Sequence, residues 1–129
     1  MSLTVPAGLL EHAQAGELDD EEFVECVRES LPYAWSVISG LADRLPGSGK
    51  GFADNQVPPP DEAARGQLLR ALASDAMRGA LERHFGVRLA FQNCHRVAVF
   101  APGAPADVYA DFVSPRAQIL NQSPELIDC

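Results

Sequence analysis

The amino-acid sequence predicts an α+β fold, with N-terminal helices and one long central helix packed on a small antiparallel sheet. Two observations lead to it: apolar residues recur at helical spacing as far as Phe85, and from Val87 they alternate with other residues. A lone hairpin is marginally stable, so the sheet needs a covering helix or a further strand. The chain has 129 residues, the length of one ordinary domain, and we assign residues 1–129 to a single domain.

Three helices are expected before residue 46. The first is Pro6–Ala15, with a proline near its first position. In the second, the four carboxylates of Asp19–Glu22 lie in the first turn, where the positive end of the helix dipole favours them. Pro32 ends that helix near Ser30, because proline removes a hydrogen bond from a helix interior. Ser30 is then the expected cap of a third helix, Pro32–Leu45.

A loop and the central helix come next. Residues 46–60 are rich in proline and glycine, which predicts a loop longer than most in a compact domain. The central helix is expected to span Asp61–Phe85, with Leu69 and Leu72 in the core. Gly86 is its expected stop.

The sheet is predicted from two alternating stretches, residues 87–92 and 95–100. Asn93 lies between them and tolerates a positive φ, so we interpret the stretches as a hairpin. The alternative is one long strand with a bulge at Asn93-Cys94.

Further elements are predicted after residue 100. Val108–Val113 is the expected third strand of the sheet. The Ser-Pro pairs at 114–115 and 123–124 are typical helix starts, which predicts two short C-terminal helices.

Charge is distributed unevenly along the chain. The net charge is −8, yet residues 63–100 carry six arginines and two acids, whereas residues 1–62 carry twelve acids and three bases. We expect these two segments to pair, either inside one fold or across a dimer. Nucleic acid repels an acidic protein at long range, which argues against a nucleic-acid partner.

Several sequence features point to a cytoplasmic protein. No stretch approaches the ~18 apolar residues of a membrane span, so no membrane association is expected. Met1–Leu10 lacks the basic patch and apolar run of a signal peptide. Three cysteines are an odd number for a disulfide scaffold.

The candidate catalytic residues are Cys94, His95 and Arg96. A thiol nucleophile needs a base within hydrogen-bond reach, and Arg96 could stabilise the thiolate. Neighbours along a strand point to opposite faces, however, so Cys94 and His95 meet only if the turn bends them together. The alternative is a hairpin tip with a buried cysteine and a histidine bonded to the backbone.

No cofactor or metal site is predicted. The segment Gly47–Gly51 is similar to the phosphate-binding motif G-x-x-x-x-G-K-[ST]. However, the position of the first glycine of that motif is occupied by Arg44. Gly51 stands where the loop needs a hydroxyl, and the preceding segment is predicted helical rather than a strand. The cysteines and histidines show no metal-ligand spacing such as C-x-x-C or H-x-x-x-H.

Four segments of the chain resemble a small family of actinobacterial proteins. They are Val27–Trp35 (VRESLPYAW), the helix around Leu68–Phe85, Phe91–Phe100 (FQNCHRVAVF) and Leu120–Leu126 (LNQSPEL). The resemblance implies an actinobacterial host and a cytoplasmic setting. It brings no assigned activity and no catalytic residues.

The function expected from these observations is a non-enzymatic regulatory or protein-interaction module, self-associating as a two-fold dimer through its helices. The alternative is a small thiol-dependent enzyme, or a small-ligand-binding protein, centred on Cys94 and His95. The two hypotheses differ in whether those side chains line a pocket or are packed.

Overall fold

A computed structural model describes residues 3–93 and 96–120 of the chain. Within them lie seven α-helices: α1 Ala7–Gln14, α2 Asp20–Ser30, α3 Pro32–Arg44, α4 Glu62–Ala73, α5 Asp75–Phe85, α6 Ala106–Phe112 and α7 Pro115–Leu120. Three strands form one antiparallel sheet of order β1-β3-β2: β1 Phe52–Asp54, β2 Arg88–Asn93 and β3 Arg96–Phe100. The predicted α+β class is confirmed.

Helix α2 begins where the acidic residues predict. The Glu22 N–H donates to Asp19 Oδ1 at 2.8 Å, and the Asp19 N–H donates to Glu22 Oε1 at 3.4 Å. This reciprocal capping box satisfies two backbone donors at the start of the helix. Three of the four acidic residues lie in the first turn, where the helix dipole favours negative charge.

Helix α3 begins at the predicted proline but without the predicted cap. The Ser30 hydroxyl accepts from the Thr4 N–H at 2.8 Å, so it secures the N-terminal segment instead. The first N–H groups of α3 are satisfied by Gln67 of α4, whose Oε1 accepts from Tyr33 at 2.7 Å and from Ala34 at 3.2 Å. A residue more than thirty positions away therefore performs the capping role.

The prediction of one long central helix is wrong, because the helix breaks at Ser74. Ser74 has an extended backbone with ψ 119°, and its Oγ accepts from the Met77 N–H at 3.3 Å as the cap of α5. Arg78 Nη1 donates to the Leu72 carbonyl at 2.9 Å and so satisfies the end of α4. Serine competes with the helix for its own backbone donors, which makes the break stable.

The hairpin prediction is confirmed: β2 and β3 are two separate antiparallel strands with an irregularity between Phe91 and Asn93. The third strand is not where it was expected. Val108–Val113 lies almost wholly in α6, in which Val108, Tyr109 and Phe112 follow helical spacing and pack together.

The third strand comes instead from the segment predicted as the 46–60 loop. β1 pairs with β3 in the register Phe52↔Phe100 to Asp54↔Ala98. Backbone hydrogen bonds close the pairing at both ends, and the Asn55 N–H donates to the Val97 carbonyl at 2.8 Å. A strand of three residues is too short to show a recognisable alternation of apolar and polar residues. The surrounding prolines and glycines therefore lead to the prediction of a loop.

Amide exchange should therefore divide this segment. We expect slow exchange at Asn55, because its N–H is bonded to the central strand, and fast exchange at Gly49 and Gln56, because both lie outside β1. Hydrogen exchange followed by NMR measures each amide separately. Exchange at Asn55 as fast as at Gln56 would contradict the pairing of β1.

Strand alternation gives the sheet two covered faces. One face contributes Leu89, Val97 and Val99 to the main core with α2–α5. The opposite face contributes Ala90, Ala98 and Phe100 to a smaller core with Phe112 of α6. The sheet therefore lies between a layer of longer helices and the short helices near the C-terminus.

The remaining predictions about the helices have mixed outcomes. Leu72 is buried as predicted, but Leu69 is exposed, so its predicted core position is wrong. Gly86 ends α5 as predicted, with a left-handed φ of 66°. Helix α7 begins after Ser114, whose Oγ accepts from the Ala117 N–H at 3.1 Å. The second predicted C-terminal helix, at 123–124, lies outside the described residues.

The expected pairing of acidic and basic segments occurs inside the chain at two contacts among the described residues, Asp20 with Arg83 and Asp54 with Arg96. Asp20 of α2 meets Arg83 of α5, with Nη2 and Oδ1 3.0 Å apart. The hydrogen bond from Arg83 lowers the pKa of Asp20 below its ordinary value.

None of the described helices is long and apolar enough to cross a membrane.

The Asp20 contact predicts a pH effect of defined sign. Because its folded-state pKa is lowered, the contact stabilises the fold above the unfolded pKa of about 3.9, and this contribution is lost as the pH falls through the folded-state pKa. In Arg83→Gln the pKa of Asp20, followed by NMR titration of its carboxyl carbon, should return towards its ordinary value. An unchanged pKa would mean that the pair does not form in solution.

Candidate functional site

The predicted site residues are only partly placed by the structure. Cys94 and His95 lie outside the described residues, so the thiol hypothesis stays a hypothesis. Arg96 begins β3 and lines a cavity. Of the other cysteines, Cys26 is buried in α2, where its thiol contacts the Thr4 carbonyl at 3.4 Å, and Cys129 is outside the described residues.

The cavity has a volume of about 750 Å³ and lies between the sheet and the helices α6 and α7. Alternate positions on each strand face it because side chains of a strand alternate between the two faces. The residues that line it from the strands are Phe52, Asp54, Gln92 and Arg96, and those from the helices are Asp107, Val108, Asp111, Phe112 and Ala117.

An ion pair crosses the sheet on this face. Asp54 Oδ2 accepts from Arg96 Nε at 3.0 Å and lies 2.9 Å from Nη2 of the same guanidinium. Gln56 Nε2 donates to the same oxygen at 2.7 Å. The Arg96 and Asp54 side chains are 26% and 18% exposed, so solvent screens the pair less than a surface pair. The guanidinium orientation is therefore fixed by β1.

Gln92 connects the sheet to α6. Its Nε2 donates to the Phe112 carbonyl at 2.9 Å, which fixes the orientation of the amide, since the flipped amide would place two acceptors together. Its Oε1 is buried and has no hydrogen-bond partner in the described part of the chain. A buried acceptor without a donor is uncommon in proteins, and each case needs a cause.

Two carboxylates on α6 and one lysine complete the polar lining. Asp107 and Asp111 are four residues apart, so they lie on the same side of the helix. Both are exposed, and neither forms an ion pair with any of the residues at 3–93 or 96–120. Lys50 lines the same cavity and is exposed.

The polar chemistry of the lining comes from carboxylates, basic groups and amides. Its described members are three aspartates, one lysine, one arginine and two glutamines beside apolar residues, and they include no cysteine, histidine, serine or tyrosine. No group of three or more potential metal ligands occurs among the residues whose placement the structure gives. The lining offers charge, an amide acceptor and two aromatic walls.

Sequence reasoning found Arg96 but missed its partner and the rest of the cavity. The signal for Asp107 and Asp111 is their spacing of four, which is informative only once the segment is recognised as helical. The signal for Asp54 is its alternation with Phe52 on a strand too short to detect. Gln92 follows from the alternation of β2, in which it shares a face with Arg88 and Ala90.

Comparison with known proteins gives one positive result. No curated protein matches the chain, and no solved structure matches it. A protein-family model with the description "NucS shadow ORF" matches residues 1–129, the full length of the sequence. The description states no activity. The chain therefore belongs to the NucS shadow ORF family.

Proposed function

We propose that the chain is a non-enzymatic module of the regulatory or protein-interaction kind, which binds its partner through the cavity beside α6. The observation that carries this proposal is the Arg96–Asp54 pair, which is bonded across two strands and braced by Gln56. Such a pair gives a fixed polar wall for recognition.

The dimensions of the cavity also support recognition of a partner's side chain. About 750 Å³ is within the usual range for binding clefts, and the apolar surfaces of Phe52 and Phe112 stand beside the polar groups. An apolar lining with a few polar groups that fix the orientation of the bound group is typical of binding clefts.

The test uses a substitution that fills the cavity with a large side chain, so that it hinders binding whatever the chemistry of the partner. Asp111→Trp places a large side chain at an exposed position of the lining, and Asp43→Trp is the matched control at an exposed position of α3. A partner captured by the wild-type chain and then purified should bind Asp111→Trp at least about tenfold more weakly, a change of about 1.4 kcal/mol. It should bind Asp43→Trp as it binds the wild type. Equal binding to both variants would reject the cavity as the binding surface.

The thiol-dependent alternative has one observation in its favour, because Arg96 in the cavity directly follows Cys94 and His95 in the chain. Cys94→Ala decides between the two. The binding proposal requires unchanged partner affinity in this variant, whereas a thiol mechanism requires loss of function.

The expected two-fold dimer stays a prediction. It was based on apolar faces between residues 23 and 45 and between 68 and 81, but the large side chains there are mostly buried within the chain, with Leu69 as an exception. The support that remains is the general frequency of two-fold assemblies. Sedimentation at micromolar concentration should give a species of twice 13.8 kDa, and a single species at 13.8 kDa would reject the dimer.

The cytoplasmic location and the actinobacterial host belong to the same proposal. Their support is the sequence resemblance to actinobacterial proteins. Detection of the chain in the soluble fraction of lysed actinobacterial cells tests both.

A further inference from the structure

We infer that the cavity beside α6 takes a cationic side chain of the partner, the guanidinium of an arginine or the ammonium of a lysine. The inference rests on the proposed function, because it names the chemistry of the partner that the same cavity binds. Three features of the lining carry it: the balance of charge, the kind of hydrogen-bonding groups left over, and the aromatic walls.

The charge of the lining favours a cation. It contains three carboxylates and two basic groups. Asp54 and Arg96 neutralise each other within hydrogen-bond distance, which leaves Asp107 and Asp111 on one side of α6. The net charge of the whole chain is −8, so the long-range field also attracts positive ligands.

Lys50 does not reverse this balance. With Lys50 counted, the three carboxylates still exceed the two basic groups of the lining by one negative charge. Lys50 also lines a second, adjoining groove together with Arg44 and Ser48. A ligand can therefore lie against α6 with the lysine towards solvent.

One buried side-chain atom of the lining lacks a hydrogen-bond partner among the described residues, and it is an acceptor. Gln92 Oε1 is buried and lacks a donor among the described residues, while the Nε2 of the same amide is already bonded to Phe112. Asp107 and Asp111 add carboxylate acceptors. Guanidinium and ammonium groups are donors without acceptors, so they complement this set, whereas an anionic ligand would place acceptors against acceptors.

The apolar part of the lining suits the stem of such a side chain. Phe52 and Phe112 line the cavity and offer apolar surface for the methylene groups of that stem. The same helix already packs an aromatic ring against a guanidinium, because the Arg88 guanidinium carbon lies 3.5 Å from the centre of the Tyr109 ring. That contact lies outside the cavity and uses the chain's own arginine.

Four capped amino acids test the inference directly on the full chain. The probes are N-acetyl-arginine amide, its neutral isostere N-acetyl-citrulline amide, N-acetyl-glutamate amide and the corresponding lysine analogue. Titration of each into the ¹⁵N-labelled protein is followed by amide shifts. We expect the arginine probe to shift amides around Asp54, Gln92 and Asp111, with a Kd about tenfold below that of citrulline. The lysine analogue should behave like the arginine probe.

Variants locate the effect. Asp111→Asn should raise the Kd of the arginine probe by about fivefold to tenfold, because it removes one carboxylate of the lining. Asp43→Asn makes the same change of charge on exposed α3, and it should leave the Kd unchanged. An equal effect of both variants would mean that the probe senses only the overall charge, which would overturn the inference.

The remaining outcomes separate the inference from the proposed function. Citrulline bound as tightly as arginine, or glutamate bound more tightly, would overturn the cationic assignment and leave the cavity as a binding surface. No shift around the cavity with any cationic probe would also overturn the inference. In that case the proposed function is still decided by the purified partner and the Asp111→Trp block.

Discussion

Phe100→Ala should lower the free energy of unfolding by about 3–5 kcal/mol, the usual range for a buried phenylalanine truncated to alanine. Phe100 is 1% exposed and ends the central strand. Its ring lies 5.6 Å from that of Phe52, 5.1 Å from that of Tyr109 and 5.6 Å from that of Phe112, centre to centre. One side chain therefore connects β1, β3 and α6, and its removal leaves a cavity that three elements would have to fill.

Chemical denaturation measures this loss, and Phe100→Leu is the conservative control. Leucine retains most of the apolar contact, so its cost should be clearly smaller than that of alanine. The single tryptophan, Trp35, packs against Phe85 in the other layer. Coincident transitions by tryptophan fluorescence and circular dichroism would show that both layers unfold together. A loss below about 1 kcal/mol in Phe100→Ala would mean that α6 does not pack on the sheet as described.

Local signals with a strong physical cause were readable from the sequence. The carboxylates before α2, the proline that separates α2 from α3, and Gly86 after α5 each act on the backbone beside them. The hairpin was readable because two alternating stretches flank Asn93. None of these features depends on a distant partner.

The errors concern segments whose state depends on tertiary contacts. Ser74 can lie in a helix or cap one, and the choice depends on Arg78 reaching the Leu72 carbonyl. The strand Phe52–Asp54 exists because β3 offers it a free edge. The short apolar run at 108–113 suits either a strand or a helix, and packing of Phe112 against Phe100 favours the helix.

The candidate site was predictable only in part for the same reason. Arg96 was selected for a local role, as a positive charge beside a thiol. The structure gives it a partner forty-two positions away, Asp54, which no spacing rule connects to it. The acceptor at Gln92 became visible only once its amide was oriented by the Phe112 carbonyl. The alternation of residues within one strand predicts which face a side chain occupies, but it does not predict which residue of a neighbouring strand it contacts.

The two leucines of α4 give the last prediction, a matched pair that tests which face of the helix is buried. Leu72 is 3% exposed and lies in the main core, whereas Leu69 is 46% exposed. Leu72→Ala should lower the free energy of unfolding by about 2–5 kcal/mol, because it removes a buried side chain and leaves a cavity. Leu69→Ala should stay within about 0.5–1 kcal/mol, since alanine has the best helix propensity and little burial is lost. Similar losses in the two variants, measured by the same denaturation experiment, would show that α4 is rotated or that Leu69 is covered by another chain.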